Sequence, residues 1–447
     1  MRQYMLAAAA CLFGLCAVFS LEGREIGEKR PNVLLIISDD HAWTDYGFMG
    51  HPRIKTPSLD KLASESLVFT RGYVPSSLCR PSLATMITGL YPHQHGITGN
   101  DPDLPDPNVN PMAGRSNPQY AAFYETLMQR IEKTPTLPRI LGQAGYVSLQ
   151  TGKWWEGAFN RGGFTEGMTH GDPKRGGRHG DEGLKIGREG LEPIFDFIRR
   201  AKAAGKPFFV WYAPMMPHSP HTPPQEILAK YSGPDVTPAQ ARYYAMCEWF
   251  DTTIGELMGF LKDEGLRQDT IVVYLADNGW IQDPEKPNQF APRSKRSPYD
   301  GGLRTPIMFS WPERIKAQRD DTTLVSSIDI MPTLLHLCGV SAPEGLPGLN
   351  VMDREALGKR HAVFGEVYSH NVADVNHPTK SLQYRWVIQD NWKLIVPVDP
   401  GEKPELYQIL EDPHEMTDLA AQRPEIVKRL ENVLDNWWPG DLNSPQK

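Results

Sequence analysis

Cysteine is scarce and badly placed for crosslinking: the 447 residues hold five, two of them (Cys11 and Cys16) near the start. The remaining Cys79, Cys247 and Cys338 are too few and too far apart for a disulfide framework. No internal repeat or low-complexity tract is present, which excludes solenoid and fibrous architectures. Charge of one sign is also lacking. With 47 Lys+Arg against 54 Asp+Glu the net charge is −7, so bulk electrostatics excludes nucleic acid as a partner. Any anion must be held by a local cationic pocket. Long apolar runs are confined to Met5–Phe19, preceded by Arg2 and followed by the polar stretch Glu22–Arg30. That run is short for a membrane span, so residues 1–20 are expected to be a cleaved signal peptide and the protein to be exported, periplasmic or secreted.

The rest of the chain alternates short apolar runs with helical periodicity. Asn32–Ser38, Val68–Tyr73, Val147–Gln150, Pro207–Tyr212 and Thr270–Ala276 have the length and composition of buried strands. Helices are expected near Ser58–Glu65, Cys79–Tyr91, Tyr120–Glu132 and Met246–Gly265. Asp101–Asn117 and Gly157–Gly190 have loop composition, and a loop as long as the second usually serves function. This alternation predicts an α/β fold with a large, mostly parallel sheet flanked by helices. Past residue 348 the texture changes: Tyr384–Ile388 and Trp392–Val396 predict antiparallel strands, and Pro424–Trp437 a terminal helix. The expected division is therefore 31–347 for the catalytic domain and 348–447 for a smaller α+β domain on an antiparallel sheet.

Ligands in open α/β sheets bind beyond the carboxyl ends of the strands. Asp39-Asp40 ends the first predicted strand and Asp277-Asn278 ends the fifth. Three carboxylates and an amide oxygen suit Ca²⁺ or Mg²⁺, although either pair alone could be a turn or a helix cap. Cys79 opens a predicted helix, where positive potential favours a nucleophile and an anionic group under attack. Lys153, His218 and Lys295 lie in loops and are candidates for a shared anion pocket. Trp154, Trp155, Trp211 and Trp280 are candidates for stacking on a sugar ring, packing being the commoner fate of tryptophan.

The chain resembles the type I sulfatases of the alkaline-phosphatase superfamily from about Asn32 to Ala420. The resemblance rests on Pro-Asn-Val-Leu-Leu-Ile-Ile-Ser-Asp-Asp at 31–40, Cys-Arg-Pro-Ser at 79–82 running to Thr88-Gly89, and Thr-Gly-Lys-Trp at 151–154. It continues through Pro-His-Ser-Pro at 217–220, Asp-Asn-Gly at 277–279 and Tyr-Asp-Gly-Gly-Leu-Arg-Thr-Pro at 299–306. Trp-Lys-Leu-Ile at 392–395 and Glu-Leu-Tyr at 405–407 complete it. The resemblance implies a sulfuric ester hydrolase that releases inorganic sulfate, with a sulfated small molecule or glycan, most simply a carbohydrate sulfate, as substrate. It implies that a formylglycine-generating or sulfatase-maturing enzyme oxidises Cys79 to formylglycine. The hydrated aldehyde would then attack sulfur and later expel sulfate. It further implies one Ca²⁺ held by Asp39, Asp40, Asp277, Asn278 and the modified Cys79. Lys153 and Lys295 would neutralise the sulfate oxygens and His218 would protonate the leaving alcohol.

Two positions depart from the family pattern. Leu83 stands where the family carries an arginine beside the nucleophile, and Trp155 where it carries a histidine two places after the active-site lysine. His170 or His179 could supply the missing imidazole. Two other readings remain open: a phosphoester hydrolase of the same superfamily, and a non-catalytic binder of sulfated glycans.

Overall fold

The computed structural model describes residues 29–103, 117–172 and 179–440. The expected signal peptide, and parts of the 101–117 and 157–190 segments, lie outside the described residues. The first ten strands are β1 (Asn32–Ser38), β2 (Leu67–Tyr73), β3 (Asp101–Pro102), β4 (Val147–Gly152), β5 (Glu166–Gly167), β6 (Phe208–Ala213), β7 (Thr270–Ala276), β8 (Arg304–Ser310), β9 (Gln318–Asp320) and β10 (Val325–Ser326). All but β3 form one sheet, ordered β10-β2-β8-β7-β1-β6-β4-β5 with β9 beside β2.

Strand β1 shows why the sheet is central. Its residues are all buried, with Val33, Leu35 and Ile37 in one apolar cluster and Leu34 and Ile36 in another. Alternating side chains point to opposite faces, so a strand apolar at every position from Val33 to Ile37 must be covered on both. Helices Cys79–Thr88 and Ile330–Leu337 cover the first face through Met86, Ile87, Met331 and Leu334. Helices Glu192–Ala203 and Pro238–Asp263 cover the second through Ile194, Phe197, Phe250 and Ile254.

Three details differ from expectation. The helix predicted from Met246 starts at Pro238, because Thr237 and Gln240 form a capping box. The helix predicted to reach Tyr91 stops at Thr88, where Gly89 turns out at φ 69°. The sheet also contains a strand with no clear sequence signal: β8 runs antiparallel to both β2 and β7 and carries Pro306. A proline reads as a strand breaker, and the ladder opposite it is irregular between Phe69 and Gly72.

The remaining strands are β11 (Ala362–Tyr368), β12 (Asn371–Val372), β13 (Leu382–Gln389), β14 (Trp392–Pro397) and β15 (Glu405–Gln408). β11-β13-β14-β15 form the antiparallel sheet, and β12 pairs with β3. Trp386, Ile388, Ile395 and Tyr407 face the main body, while Val387, Leu394 and Leu406 pack on Leu430 and Leu434 of the terminal helix Pro424–Trp437.

Candidate active site

Strands β7, β1, β6 and β4 are adjacent and parallel. Their carboxyl ends therefore open on one side of the sheet, which brings together residues far apart in sequence. Asp277 and Asn278 leave β7, Asp39 and Asp40 leave β1, the His218 loop follows β6, and Lys153 follows β4. The His218 loop is tied to the edge of β1, since Asp39 N–H donates to the Met216 carbonyl at 2.9 Å. Cys79 is the first residue of its helix and is 1% exposed.

Around the Cys79 sulfur the charges are close. Lys153 Nζ is 3.4 Å away and Lys295 Nζ 3.2 Å away, both within hydrogen-bond range of Sγ. Each ammonium also holds a carboxylate: Lys153 pairs with Asp39 Oδ2 at 2.6 Å and Lys295 with Asp40 Oδ1 at 2.5 Å. His218 Nε2 is 3.4 Å from Asp40 Oδ2. Asn278 Nδ2 donates to Asp40 Oδ1 at 2.7 Å, which turns its carbonyl oxygen the other way. The structure thus brings all eight predicted site residues into one cluster, buried except for the half-buried His218.

The electrostatics are those of a dry, crowded site. Burial pushes the Cys79 thiol up to about 12, against the pull of Lys153 and Lys295. Burial likewise raises Asp39 and Asp277, with neighbouring carboxylates adding to the effect, despite Lys153 nearby. Asp40 escapes: burial acts on it too, but Lys295 and His218 bring it down to about 2. Burial opposes charge on both lysines, yet Asp39 beside Lys153 and Asp40 beside Lys295 hold each above its usual range. His218 is held well below the usual histidine value by burial and by Lys153.

Can these residues hold a cation? Asp277 Oδ2 and Asn278 Oδ1 are buried without a hydrogen-bond donor. Asp40 Oδ2 likewise lacks a donor in good geometry, its nearest cation-forming neighbour being His218. Buried acceptors left this way are costly unless something electropositive meets them. Hard oxygen donors of this number suit Ca²⁺ or Mg²⁺. Donor atoms of Asp39, Asp40, Cys79 and His218 also lie within 4.8 Å of one another. The donor set fits the expected ion.

At the two departures, Leu83 is buried in the apolar core and Trp155 has its ring centroid 6.0 Å from Lys153 Nζ. His179 packs edge-on against Trp155 with centroids 4.2 Å apart, whereas His170 faces Phe159. All four candidate stacking tryptophans are buried. Trp154 and Trp211 pack edge to face at 6.4 Å, so both serve the core.

The sequence reading missed the residues that brace the nucleophile. Arg80 is fully buried and forms a two-pronged pair with Glu156, Nε to Oε1 at 2.8 Å and Nη2 to Oε2 at 2.7 Å. It also donates to the Asn100 carbonyl at 3.1 Å. Tyr124 Oη donates to the Trp155 carbonyl at 2.7 Å, with its ring 5.0 Å from the Arg80 guanidinium. These contacts lock the start of the Cys79 helix to the segment carrying Lys153. In the sequence Arg80 stood inside the Cys-Arg-Pro-Ser motif with no role assigned and Glu156 stood two places past Thr-Gly-Lys-Trp, and a charge at such a place usually means solvent exposure.

Comparison with known proteins agrees with this geometry. The Sulfatase family model matches residues 31–340, and the model of the N-sulphoglucosamine sulphohydrolase C-terminal region matches 290–437. The dog N-acetylgalactosamine-6-sulfatase is 29% identical over 389 residues, covering 77% of this chain and 70% of its own length. The human N-acetylgalactosamine-6-sulfatase is 30% identical over 363 residues, covering 72% and 65%. Among solved structures, a protein in complex with its substrate D-glucosamine-2-N,6-O-disulfate superposes with TM-score 0.68 at 19% identity, covering 92% of this chain and 98% of that one. The phosphonate monoester hydrolase of Agrobacterium radiobacter superposes almost as well, with TM-score 0.67 at 18% identity over 92% and 96%, so the fold alone does not choose the ester. The family match, over a site built from a cysteine, two lysines and a set of hard oxygens, does: this chain belongs to the sulfatase family and is a sulfatase.

Proposed function

We propose that this sulfatase releases inorganic sulfate from a sulfated carbohydrate, using formylglycine made from Cys79 and one Ca²⁺ ion. The observation that carries this reading is the Cys79 sulfur held between two buried ammonium groups at 3.4 and 3.2 Å, beside the oxygens of Asp39, Asp40, Asp277 and Asn278. That is a pocket for a tetrahedral oxyanion inside an acidic protein. The carbohydrate assignment draws on relatives named as N-acetylgalactosamine-6-sulfatases.

When present, the hydrated aldehyde supplies the attacking oxygen, and Ca²⁺ draws charge off a sulfate oxygen. The chain's own residues do the rest. Lys153 and Lys295 bind the sulfate oxygens and offset the charge that grows on them as the S–O bond to the sugar breaks. His218 Nδ1 is 2.6 Å from the Ser219 carbonyl, which can only accept, so that nitrogen carries a proton. Nε2 then carries a proton only in the imidazolium form, which burial opposes and Asp40 favours, and in that form it passes that proton to the leaving alcohol. Asp40, 3.4 Å from Nε2, stabilises the charged imidazole. We further propose cleavage of a signal peptide over residues 1–20, export, maturation by a formylglycine-generating enzyme, and a functional division between residues 347 and 348.

The test is mass spectrometry of the Cys79 peptide from protein made alongside a sulfatase-maturing enzyme, with sulfate release measured on a panel of sulfated hexosamines. Formylglycine with turnover is the expected result. An unmodified thiol with sugar binding and no turnover would favour a glycan-binding role. Stoichiometric zinc with phosphoester turnover would favour the phosphoester hydrolase.

A further inference from the structure

The segment before the helix Glu192–Ala203 carries one side chain whose bonding serves another part of the molecule. Arg188 reaches across to the loop that follows β6 and donates to three of its backbone carbonyls. Nε and Nη2 bond the Met215 carbonyl at 3.2 and 2.8 Å, and Nη2 bonds the His218 carbonyl at 2.8 Å. Nη1 and Nη2 approach the Pro220 carbonyl at 3.3 Å, and Nη1 donates to Thr222 Oγ1 at 3.2 Å. One planar guanidinium thus spans Met215 to Thr222, with His218 at the middle of the span. Carbonyls in a proline-rich loop have few backbone N–H partners, since Pro214, Pro217, Pro220, Pro223 and Pro224 donate none.

Arg188 is itself held in place. Gly187 adopts φ +79°, and a Cβ there would lie 2.7 Å from Tyr212 Oη, so the chain passes close against β6. Ile186 is buried in the apolar cluster on that face of the sheet. The guanidinium carbon lies 5.8 Å from the Trp249 ring centroid. Among the described residues Arg188 forms no ion pair with a carboxylate, and its five donors are directed at the loop.

We propose that Arg188 is a positioning residue for His218: it fixes the carbonyl frame from which the imidazole reaches Asp40. The proposal rests on the reading of His218 as the proton donor to the leaving alcohol. Its physical basis is that a displacement of about 1 Å at a reacting group costs on the order of 10²-fold in rate, and Arg188 holds the very residue that carries that group. A lysine could not replace it, because an ammonium lacks the fork that spans several carbonyls.

The test is a double-mutant cycle on matured, calcium-loaded enzyme with the sulfated hexosamine it turns over fastest. Arg188→Ala is expected to lower kcat by roughly 30- to 100-fold with KM changed less than about 3-fold. His218→Ala is expected to lower kcat by about 10²- to 10⁴-fold. The double variant should match His218→Ala alone, because a positioning residue has nothing left to position. Effects that multiply, or a wild-type kcat for Arg188→Ala, would overturn the proposal while leaving His218 as the acid. A wild-type kcat for His218→Ala would instead overturn the His218 reading, and this proposal with it. If Arg188→Ala does not fold, Arg188→Lys is taken through the same cycle and judged by the same outcomes.

Discussion

Two of the buried charge clusters among the described residues differ in what is left unsatisfied. At the carboxyl ends of β1 and β7, three carboxylates meet two lysines, yet Asp277 Oδ2 and Asn278 Oδ1 have no donor. Behind the site, Lys393 on β14 pairs with Asp300 Oδ1 and Glu415 Oε1, both at 2.8 Å, and all three residues are almost wholly buried. There Tyr73 Oη donates to Asp300 Oδ2 at 3.1 Å and the Asp300 N–H to Glu415 Oε2 at 2.6 Å. In the second cluster each carboxylate oxygen meets a donor or an ammonium, Glu415 Oε1 through its ion pair with Lys393 alone, and the cluster joins the antiparallel sheet to the turn at Asp300–Leu303. That turn in turn holds the Asp277-Asn278 loop, since Gly279 N–H donates to the Gly302 carbonyl at 2.9 Å. The first cluster keeps buried acceptor oxygens that meet neither a donor nor an ammonium, whereas the second is a latch.

Removing a member should therefore cost function in one cluster and stability in the other. Asp277→Asn should lower kcat/KM by roughly 10³-fold, the scale of the charge stabilisation a bound metal supplies. On the proposed reading calcium should raise the Tm of the wild type, and the substitution should abolish that rise. Unfolding scans with and without EGTA check this, and an unchanged calcium response would break the comparison.

Lys393→Met should lower the free energy of unfolding by about 3–5 kcal/mol, since it strands two carboxylates in a dry setting. Urea titration measures it. Adding Asp300→Asn and Glu415→Gln should recover part of the loss, as buried pairs are often replaceable by neutral groups.

The smallest effect concerns a buried polar residue that is satisfied without charge. His95 Nδ1 accepts from the Ile97 N–H at 3.0 Å, and its Nε2 is 3.2 Å from Thr85 Oγ1. Burial, with help from His93 and Arg130, brings its pKa down from 6.5 to about 3. Between those values the unfolded chain binds more protons, so stability is full above pH 6.5 and falls as the pH drops toward 3. At pH 4.5 the loss from this group is about 2–3 kcal/mol. His95→Gln should flatten the acid side of a plot of urea midpoint against pH.

Much of the fold was legible because it follows from period and burial. β7 and the terminal helix fall where their apolar patterns place them, over Thr270–Ala276 and Pro424–Trp437. β8 was not legible, since Pro306 and two preceding glycines resemble a turn until neighbours on both sides supply the pairing. Cys79, Lys153, His218 and the four candidate oxygen ligands were legible as motifs because each lies at or just beyond a strand end or helix start, whereas Lys295 lies far along the loop after β7. The motifs Tyr299–Pro306, Trp392–Ile395 and Glu405–Tyr407 had no evident purpose in the sequence. They meet in the latch, where Lys393 reaches Asp300, and where Tyr299 and Tyr407 both donate to Glu405 Oε2.

By itself, then, the sequence determined the α/β class, the buried strands and the kinds of atoms that do the chemistry, since composition and local period act over a few residues. Tertiary structure alone decided that Arg80 faces Glu156, that Arg188 holds the His218 loop, and which buried oxygens stay without a donor. These are pairings across tens to hundreds of residues, and only the order of the strands brings their partners within bonding distance.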